Sequence, residues 1–287
     1  MAKGDFPGKG RGRPSKAAVE ARAAFLESVK PASAKMTDSE LLAGIQERFT
    51  TFKELVEACG KGVIPSVTVP GAPGIGKSYT VVETLDALGI KYAHVHGGIS
   101  AVELYTLGWH HKAKGNVIFI DDSDIVFRDE DTMNILKAMT DSGNRRLVSW
   151  RKQTKSLIED NIDNDYDFKG SIIFASNYDF QRMVDERNSK FATHMEALIS
   201  RTYYVDLLVH DRRALSLWIN HVCIVGKMFA KEDVDEKTGK VMLEWLHENQ
   251  SKLREYSLRT VHKLCGLSRI YKTEERWKAK ALETLCR

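Results

Sequence analysis

Residues 71–78 read GAPGIGKS, and this octapeptide limits what the chain can become. A glycine, four residues, and then Gly-Lys-Ser allow the backbone to curl until several N–H groups point at one anion. A helix opening at Lys77 adds partial positive charge at the same place. Such a loop needs a strand before it and a helix after it, and the chain supplies both. SVTVP (66–70) is a β-branched run, and KSYTVVETLDALG (77–89) is a helical segment closed by Gly89. The segment predicts a phosphate cradle made of Gly71, Ala72, Pro73, Gly74, Ile75, Gly76, Lys77, Ser78 and Tyr79. Within it Lys77 reaches the β- and γ-phosphates and the Ser78 hydroxyl ligates Mg²⁺, so the implied ligand is ATP with Mg²⁺.

The surrounding pattern predicts an α/β fold. KYAHVHG (91–97) alternates as a strand, and SAVELYTLGWHH (100–111) is helical. NVIFIDD (116–122) is an apolar strand ending in two carboxylates. A helix over 129–143 and the strand SIIFASN (171–177) follow, and ALISRTYYVDL (197–207) closes the region. Strands alternating with helices imply a parallel sheet with helices on both faces. Upstream, TDSE (37–40) is a capping box that opens a helix of apolar period through Leu41, Ile45, Phe49, Phe52 and Val56. From Asp211 onward the chain reads as helical, apart from a polar turn expected near DEKTGK (235–240). The predicted organisation is a basic tail over 1–36 with a short helix within 17–30, an α/β nucleotide-binding core over 37–208, and a helical lid domain over 209–287.

In NVIFIDD, Asp121 is placed to hold the Mg²⁺ shell and Asp122 to polarise an attacking water. The set GAPGIGKS, IFIDD, IIFASN, ALISR and SLRTVHKL resembles the AAA+ ATPases over about residues 40–270. That resemblance implies four catalytic roles. Asp122 acts on the water, and Asn177 helps to position it. Arg201 enters a neighbouring subunit's site as a finger, with Arg182 and Arg187 as rivals, and Arg259 on the lid touches the γ-phosphate. It also implies a ring homo-oligomer, commonly a hexamer. The acid pair departs from the family pattern, being Asp-Asp where Asp-Glu is usual. The shorter Asp122 ends about one methylene further from the water, which fits either slow hydrolysis or a nucleotide switch that seldom turns over. The run from Ile120 to Trp150 also resembles small AAA+ proteins of bacteriophages, which implies work in the cytoplasm of an infected bacterium.

Charge bears on the load. The chain has 43 basic and 39 acidic side chains, a net charge of +4. Residues 1–16 hold five basic residues and one acidic residue, so the tail accounts for all of that charge. Within it, Arg11, Gly12, Arg13 and Pro14 spell RGRP, the core of an AT-hook. A thin extended chain of this kind lays two arginines along a narrow A·T minor groove. A second DNA candidate is the long connection 144–170, expected to form a hairpin from RRLVSW and YDFKG. There Arg145, Arg146, Arg151, Lys152 and Lys155 would meet phosphates and Trp150 would stack or pack; an acidic-tipped surface hairpin is the alternative. A third candidate is 103–116, where Tyr105 and Trp109 would grip a protein client in a channel, or simply pack as a helix.

Two classes are disfavoured. No apolar run approaches the roughly 20 residues that cross a bilayer, and no secretory signal is expected. Cys59, Cys223, Cys265 and Cys286 are scattered without a C-x-x-C pair, as expected of reduced thiols and not of a structural zinc site.

Overall fold

The computed structural model describes residues 36–287 except 124, 125, 127, 128, 186–189 and 210. The RGRP motif, the helix expected over 17–30, and Arg187 lie outside the described residues.

The first element among the described residues is α1 (Asp38–Gly60), whose start is the capping box read from TDSE. The Thr37 hydroxyl accepts from the Glu40 amide at 3.2 Å, and the Glu40 carboxylate accepts from the Thr37 amide at 2.7 Å. Then come β1 (Ser66–Pro70), α2 (Lys77–Ala87), β2 (Tyr92–His96), α3 (Ala101–His110), β3 (Val117–Asp121) and α4 (Glu130–Met139). A two-stranded excursion follows: β4 (Leu147–Ser149), α5 (Lys155–Glu159) and β5 (Asp165–Asp167). The sheet is completed by β6 (Ser171–Ser176), α6 (Phe180–Asp185), α7 (Lys190–Ile199) and β7 (Tyr203–Tyr204). Five helices end the chain: α8 (Arg212–Ile224), α9 (Met228–Lys231), α10 (Glu236–Glu248), α11 (Leu258–Ile270) and α12 (Glu274–Leu285).

The main sheet has the order β2-β3-β6-β1-β7, and every pairing in it is parallel. The period-2 alternation of the strands builds two cores. Ile118, Ile120, Ile172 and Phe174 face one cluster, with Leu104, Met133, Leu136 and the hairpin. Val117, Phe119, Ile173 and Ala175 face the other, with Phe49, Phe52 and Val56 of α1 and Val81 and Leu85 of α2. Both faces are covered, so β1, β3 and β6 are buried along their whole length, while β2 at the edge is only half-buried. This is a P-loop α/β fold: a parallel sheet flanked by helices, with the GAPGIGKS loop at the end of β1, followed by a helical region. Helices α8 to α12 pack around a third cluster that includes Phe229, Leu246, Val261, Leu264 and Trp277. The four cysteines are buried thiols, and burial pushes Cys59 and Cys223 up to about 12.

Two expectations need correction, and of the two alternatives for 103–116 the packed helix is the one found. DEKTGK does not form a turn: Asp235 caps α10 by accepting from the Thr238 amide at 3.0 Å, and the rest is its first helical turn. The 103–116 segment is no aromatic loop. Tyr105 is fully buried in α3 and donates to the Asp163 carbonyl at 2.7 Å, while the Trp109 indole donates to the Asp163 carboxylate at 3.1 Å. Gly108 permits this docking, because a Cβ there would lie 2.3 Å from the Tyr166 hydroxyl.

The second correction concerns Arg146 in the hairpin region. Arg146 turns inward and donates to the carbonyls of Met139 (2.9 Å) and Gly170 (2.8 Å) over the Phe168 ring. Arg151 pairs with Asp165 at 2.9 Å, Lys152 with Asp131, and Lys155 with Glu159 at 3.4 Å. Trp150 packs against Tyr105 and donates to the Thr154 hydroxyl at 2.8 Å. Arg146 is therefore withdrawn from a phosphate ligand, whereas Arg151, Lys152 and Lys155 stay exposed in weak surface pairs.

Gly239 tests the helical unit. A Cβ there would sit 2.6–2.9 Å from three ring atoms of Phe229, itself only 7% exposed. Alanine gains about 1 kcal/mol of helix propensity, but overpacking a buried ring costs about 1–3 kcal/mol. Gly239→Ala is expected to lower the thermal midpoint. A midpoint at or above that of the natural chain would show that the ring is free to move aside.

Candidate nucleotide site

The site lies at the carboxyl edge of the sheet, where β1 ends in the 71–76 loop and β3 and β6 end beside it. Gly74 (φ +68°) and Gly76 (φ +112°) take left-handed backbone, which gives the loop its curl. Lys77 starts α2, and its ammonium is buried at 5% exposure. It donates to the carbonyls of Gly71 (2.8 Å) and Ala72 (3.2 Å) and to the Asn177 side-chain oxygen (2.9 Å). The loop lysine and the asparagine that follows β6 are thus in contact.

The cation donors are also together. The Ser78 hydroxyl donates to Asp121 Oδ1 at 2.8 Å, and Asp121 is buried at the end of β3. A hydroxyl and a carboxylate are hard oxygen donors of the kind Mg²⁺ takes. The other oxygen, Asp121 Oδ2, meets His94 Nε2 at 3.1 Å and His96 Nδ1 at 3.7 Å, a contact the sequence reading missed.

Asp122 adopts φ +48°, a left-handed conformation rare for a residue with a Cβ. Its amide is held by the Ala175 carbonyl at 3.0 Å. Its carboxylate faces the cleft, 4.0 Å from the Arg259 guanidinium at the start of α11. Arg259 is more than half exposed, so this is a solvated pair of small energetic weight. The contact matters because it joins the sheet to the helical unit across the cleft.

A cavity of about 620 Å³ opens between the loop and the helices, within the range of small-ligand sites. Gly74, Ile75, Gly76, Lys77 and Ser78 form its floor, and Asp122 and Arg259 lie at one side. Phe49 of α1 and Trp218 of α8 stack at 4.3 Å on the other side, beside His221 and Val222. The Trp218 indole donates to the Ile75 carbonyl at 3.0 Å, so this aromatic wall is tied to the phosphate loop. The sequence reading missed Phe49 and Trp218 as site residues.

Tyr79 and Glu83 of α2 meet Lys231 of α9 at the rim. Lys231 donates to the Glu83 carboxylate at 2.8 Å and also contacts the Tyr79 hydroxyl. The bond to Glu83, and then that to Tyr79, raises the lysine above its ordinary range. The same lysine, followed by Tyr79, lowers Glu83. Further contacts bring helix and loop together: the Leu258 amide donates to the Gly74 carbonyl at 3.0 Å, and a Cβ on Gly74 would come within 2.5 Å of the Ser257 hydroxyl.

Arg201 does not line this cleft. It donates to the Ala197 carbonyl at 2.6 Å and lies 3.8 Å from Asp141. Arg182 is exposed on α6.

No protein-family model matches the chain. Among solved structures, the Thermotoga maritima RuvB Holliday junction branch migration motor is 12% identical, with a TM-score of 0.47 over 84% of this chain and 68% of that one. A Walker-type ATPase of Pyrococcus abyssi is 11% identical, with a TM-score of 0.44 over 83% and 70%. Likenesses this distant carry no argument, and the fold assignment rests on the strand order above. A sequence relative is much nearer. The uncharacterized 36.7 kDa protein of the nrdC-mobD intergenic region of Enterobacteria phage T4 is 35% identical over 239 residues, covering 82% of this chain and 73% of that protein. The chain belongs to the family of that phage protein.

Proposed function

We propose that the protein is an ATPase of the AAA+ type that works as a ring homo-oligomer, most simply a hexamer, in the cytoplasm of a phage-infected bacterium. The observation that carries the enzymatic reading is the joined set at the sheet edge. The Lys77 ammonium touches Asn177 Oδ1, the Ser78 hydroxyl touches Asp121, and Arg259 reaches across the cleft toward Asp122. An isolated phosphate loop would not need these groups to converge from β1, β3, β6 and α11.

In this reading the loop amides and Lys77 bind the β- and γ-phosphates, and the slot beside Phe49 and Trp218 takes the adenine. Ser78 and Asp121 would hold Mg²⁺, which when bound neutralises charge on the β- and γ-phosphate oxygens. Asp122 accepts a proton from the attacking water, and Asn177 holds that water in line. Arg259 orients the γ-phosphate from the lid, and Arg201 of a neighbouring subunit completes the site. Positioning and charge supply most of the rate, because phosphoryl transfer needs little covalent chemistry from the protein.

For the load we propose DNA or a DNA-bound complex. With Arg146 turned inward, the support rests on RGRP in the tail and on the exposed Arg151 and Lys152 of the hairpin. One hook binds weakly, but several in a ring act together through effective concentration. A second reading, a nucleotide switch with little turnover, is favoured by one observation: the short Asp122 carboxylate lies beside Arg259. A protein client is less supported, since Tyr105 is buried.

Lys77→Ala is expected to weaken ATP affinity at least tenfold, about 1.4 kcal/mol or more, by equilibrium binding of a fluorescent ATP analogue. Unchanged affinity would sink the assignment. Asp122→Asn should keep nucleotide binding and lower turnover by about 10²–10⁴-fold; an equal rate would remove Asp122 from the chemistry. Arg201→Ala should bind ATP normally but lose the rise of specific activity with protein concentration, and full activity would transfer the finger to Arg182 or Arg187. Deleting residues 1–16 should abolish the salt-sensitive stimulation of hydrolysis by A·T-rich duplex. Hydrolysis indifferent to both DNA and the tail would leave an ATPase with another load.

A further inference from the structure

The Asp121 carboxylate has more partners than a nucleotide site asks for. Oδ1 accepts from Ser78, which is the side where Mg²⁺ would bind. Oδ2 points the other way, to two imidazoles on the edge strand β2. The register explains the meeting: His96 pairs directly with Asp121 across the parallel β2–β3 ladder, and His94, two residues earlier, lies on the same face. His94 stacks on Phe119 at 4.4 Å with an interplanar angle of 19°, which fixes its ring beside the carboxylate. His96 is 64% exposed; its Nε2 meets His94 Nδ1 at 3.1 Å, and its Nδ1 is the nitrogen turned toward Asp121.

We propose that His94, His96 and Asp121 form a binding site for a divalent transition metal such as Zn²⁺, distinct from the Mg²⁺ position and sharing the Asp121 carboxylate with it. The donor set is two imidazole nitrogens and one carboxylate oxygen, all within 4.8 Å of one another. Bonds of about 2.0–2.1 Å in tetrahedral geometry put neighbouring donors about 3.3 Å apart. The two edges to Asp121 Oδ2, 3.1 Å to His94 and 3.7 Å to His96, bracket that value. Small turns of the rings complete the site. Two nitrogens select borderline metals over Mg²⁺ and Ca²⁺, which prefer oxygen. Three protein ligands and a solvent-facing His96 leave a coordination position open to water.

A plainer role is a hydrogen-bonded chain that orients the carboxylate, from His96 Nε2 to His94 Nδ1 at 3.1 Å and from His94 Nε2 to Asp121 at 3.1 Å. That chain makes no use of His96 Nδ1, which lies 3.7 Å from Oδ2, beyond hydrogen-bond reach. A chelate requires three donors around one point, and this nitrogen supplies the third. Asp121 also carries a role in the nucleotide reading, but metal binding by the three residues needs no nucleotide, so the two ideas fail separately.

The test uses the full chain, stripped with a chelator and free of nucleotide. Zn²⁺ is titrated by calorimetry in millimolar Mg²⁺, and Co²⁺ is followed by its visible absorption. The expected result is one ion per chain, undisturbed by Mg²⁺. His96→Ala should weaken affinity at least about tenfold with the circular dichroism spectrum unchanged, as expected for loss of one ligand of three at an exposed position. His94→Ala should weaken it similarly if it folds, and the His96 variant decides if it does not. A chain carrying both His110→Ala and His111→Ala should bind as the natural one does. Affinity unchanged in His96→Ala, loss of binding only in the His110 and His111 variant, displacement of Zn²⁺ by millimolar Mg²⁺, or no saturable binding at all would each overturn the proposal.

Discussion

The buried Lys77 ammonium organises the site and much of the sheet edge around it. A charge at 5% exposure is costly unless oxygens surround it. The chain meets that cost with the carbonyls of Gly71 and Ala72 and the side chain of Asn177. Those oxygens come from the loop after β1 and from the end of β6, two strands that pair in parallel. One side chain therefore ties the loop, the start of α2 and Asn177 together. Asp121 extends the network from β3 by holding Ser78, the next residue of the same helix.

The second layer of the design is the contact between loop and helices. Trp218 donates to Ile75, Leu258 donates to Gly74, and Arg259 faces Asp122. Lys231 reaches Tyr79 and Glu83 from the far side of the cleft. Each contact joins a residue of the phosphate loop or its neighbours to the helical region. A ligand that changes the loop's hydrogen bonding changes the partners of these helices as well.

The parts legible in the sequence were those fixed by short-range rules. The glycine spacing of GAPGIGKS, the capping box at Thr37 and the apolar strands ending in Asp121 and Asn177 each depend on neighbours in the chain. Direction and pairing were not legible. RRLVSWRK has the same charge pattern whether its cations face solvent or the acids Asp131 and Asp165, and only folding brings those acids near. DEKTGK looked like a turn by composition, although Asp235 and Thr238 had the spacing of a helix cap. Phe49 and Trp218 are ordinary helix-face residues until α1 and α8 meet. YAHVH showed two histidines on one face of a strand, but the strand's neighbour, and so Asp121, came only with the register.

The central claim is that a nucleotide binds in the cleft between the sheet edge and the helical region, with its base against Phe49 and Trp218. The most direct measurement is photolabelling of the full chain with an azidoadenine analogue of ATP in Mg²⁺, followed by mass mapping of the modified peptides. The account predicts label on the α1 or α8 peptides that carry Phe49, Trp218 or His221, lost when unmodified ATP is added in excess. Label confined to other surfaces, or label that excess ATP does not remove, would contradict it.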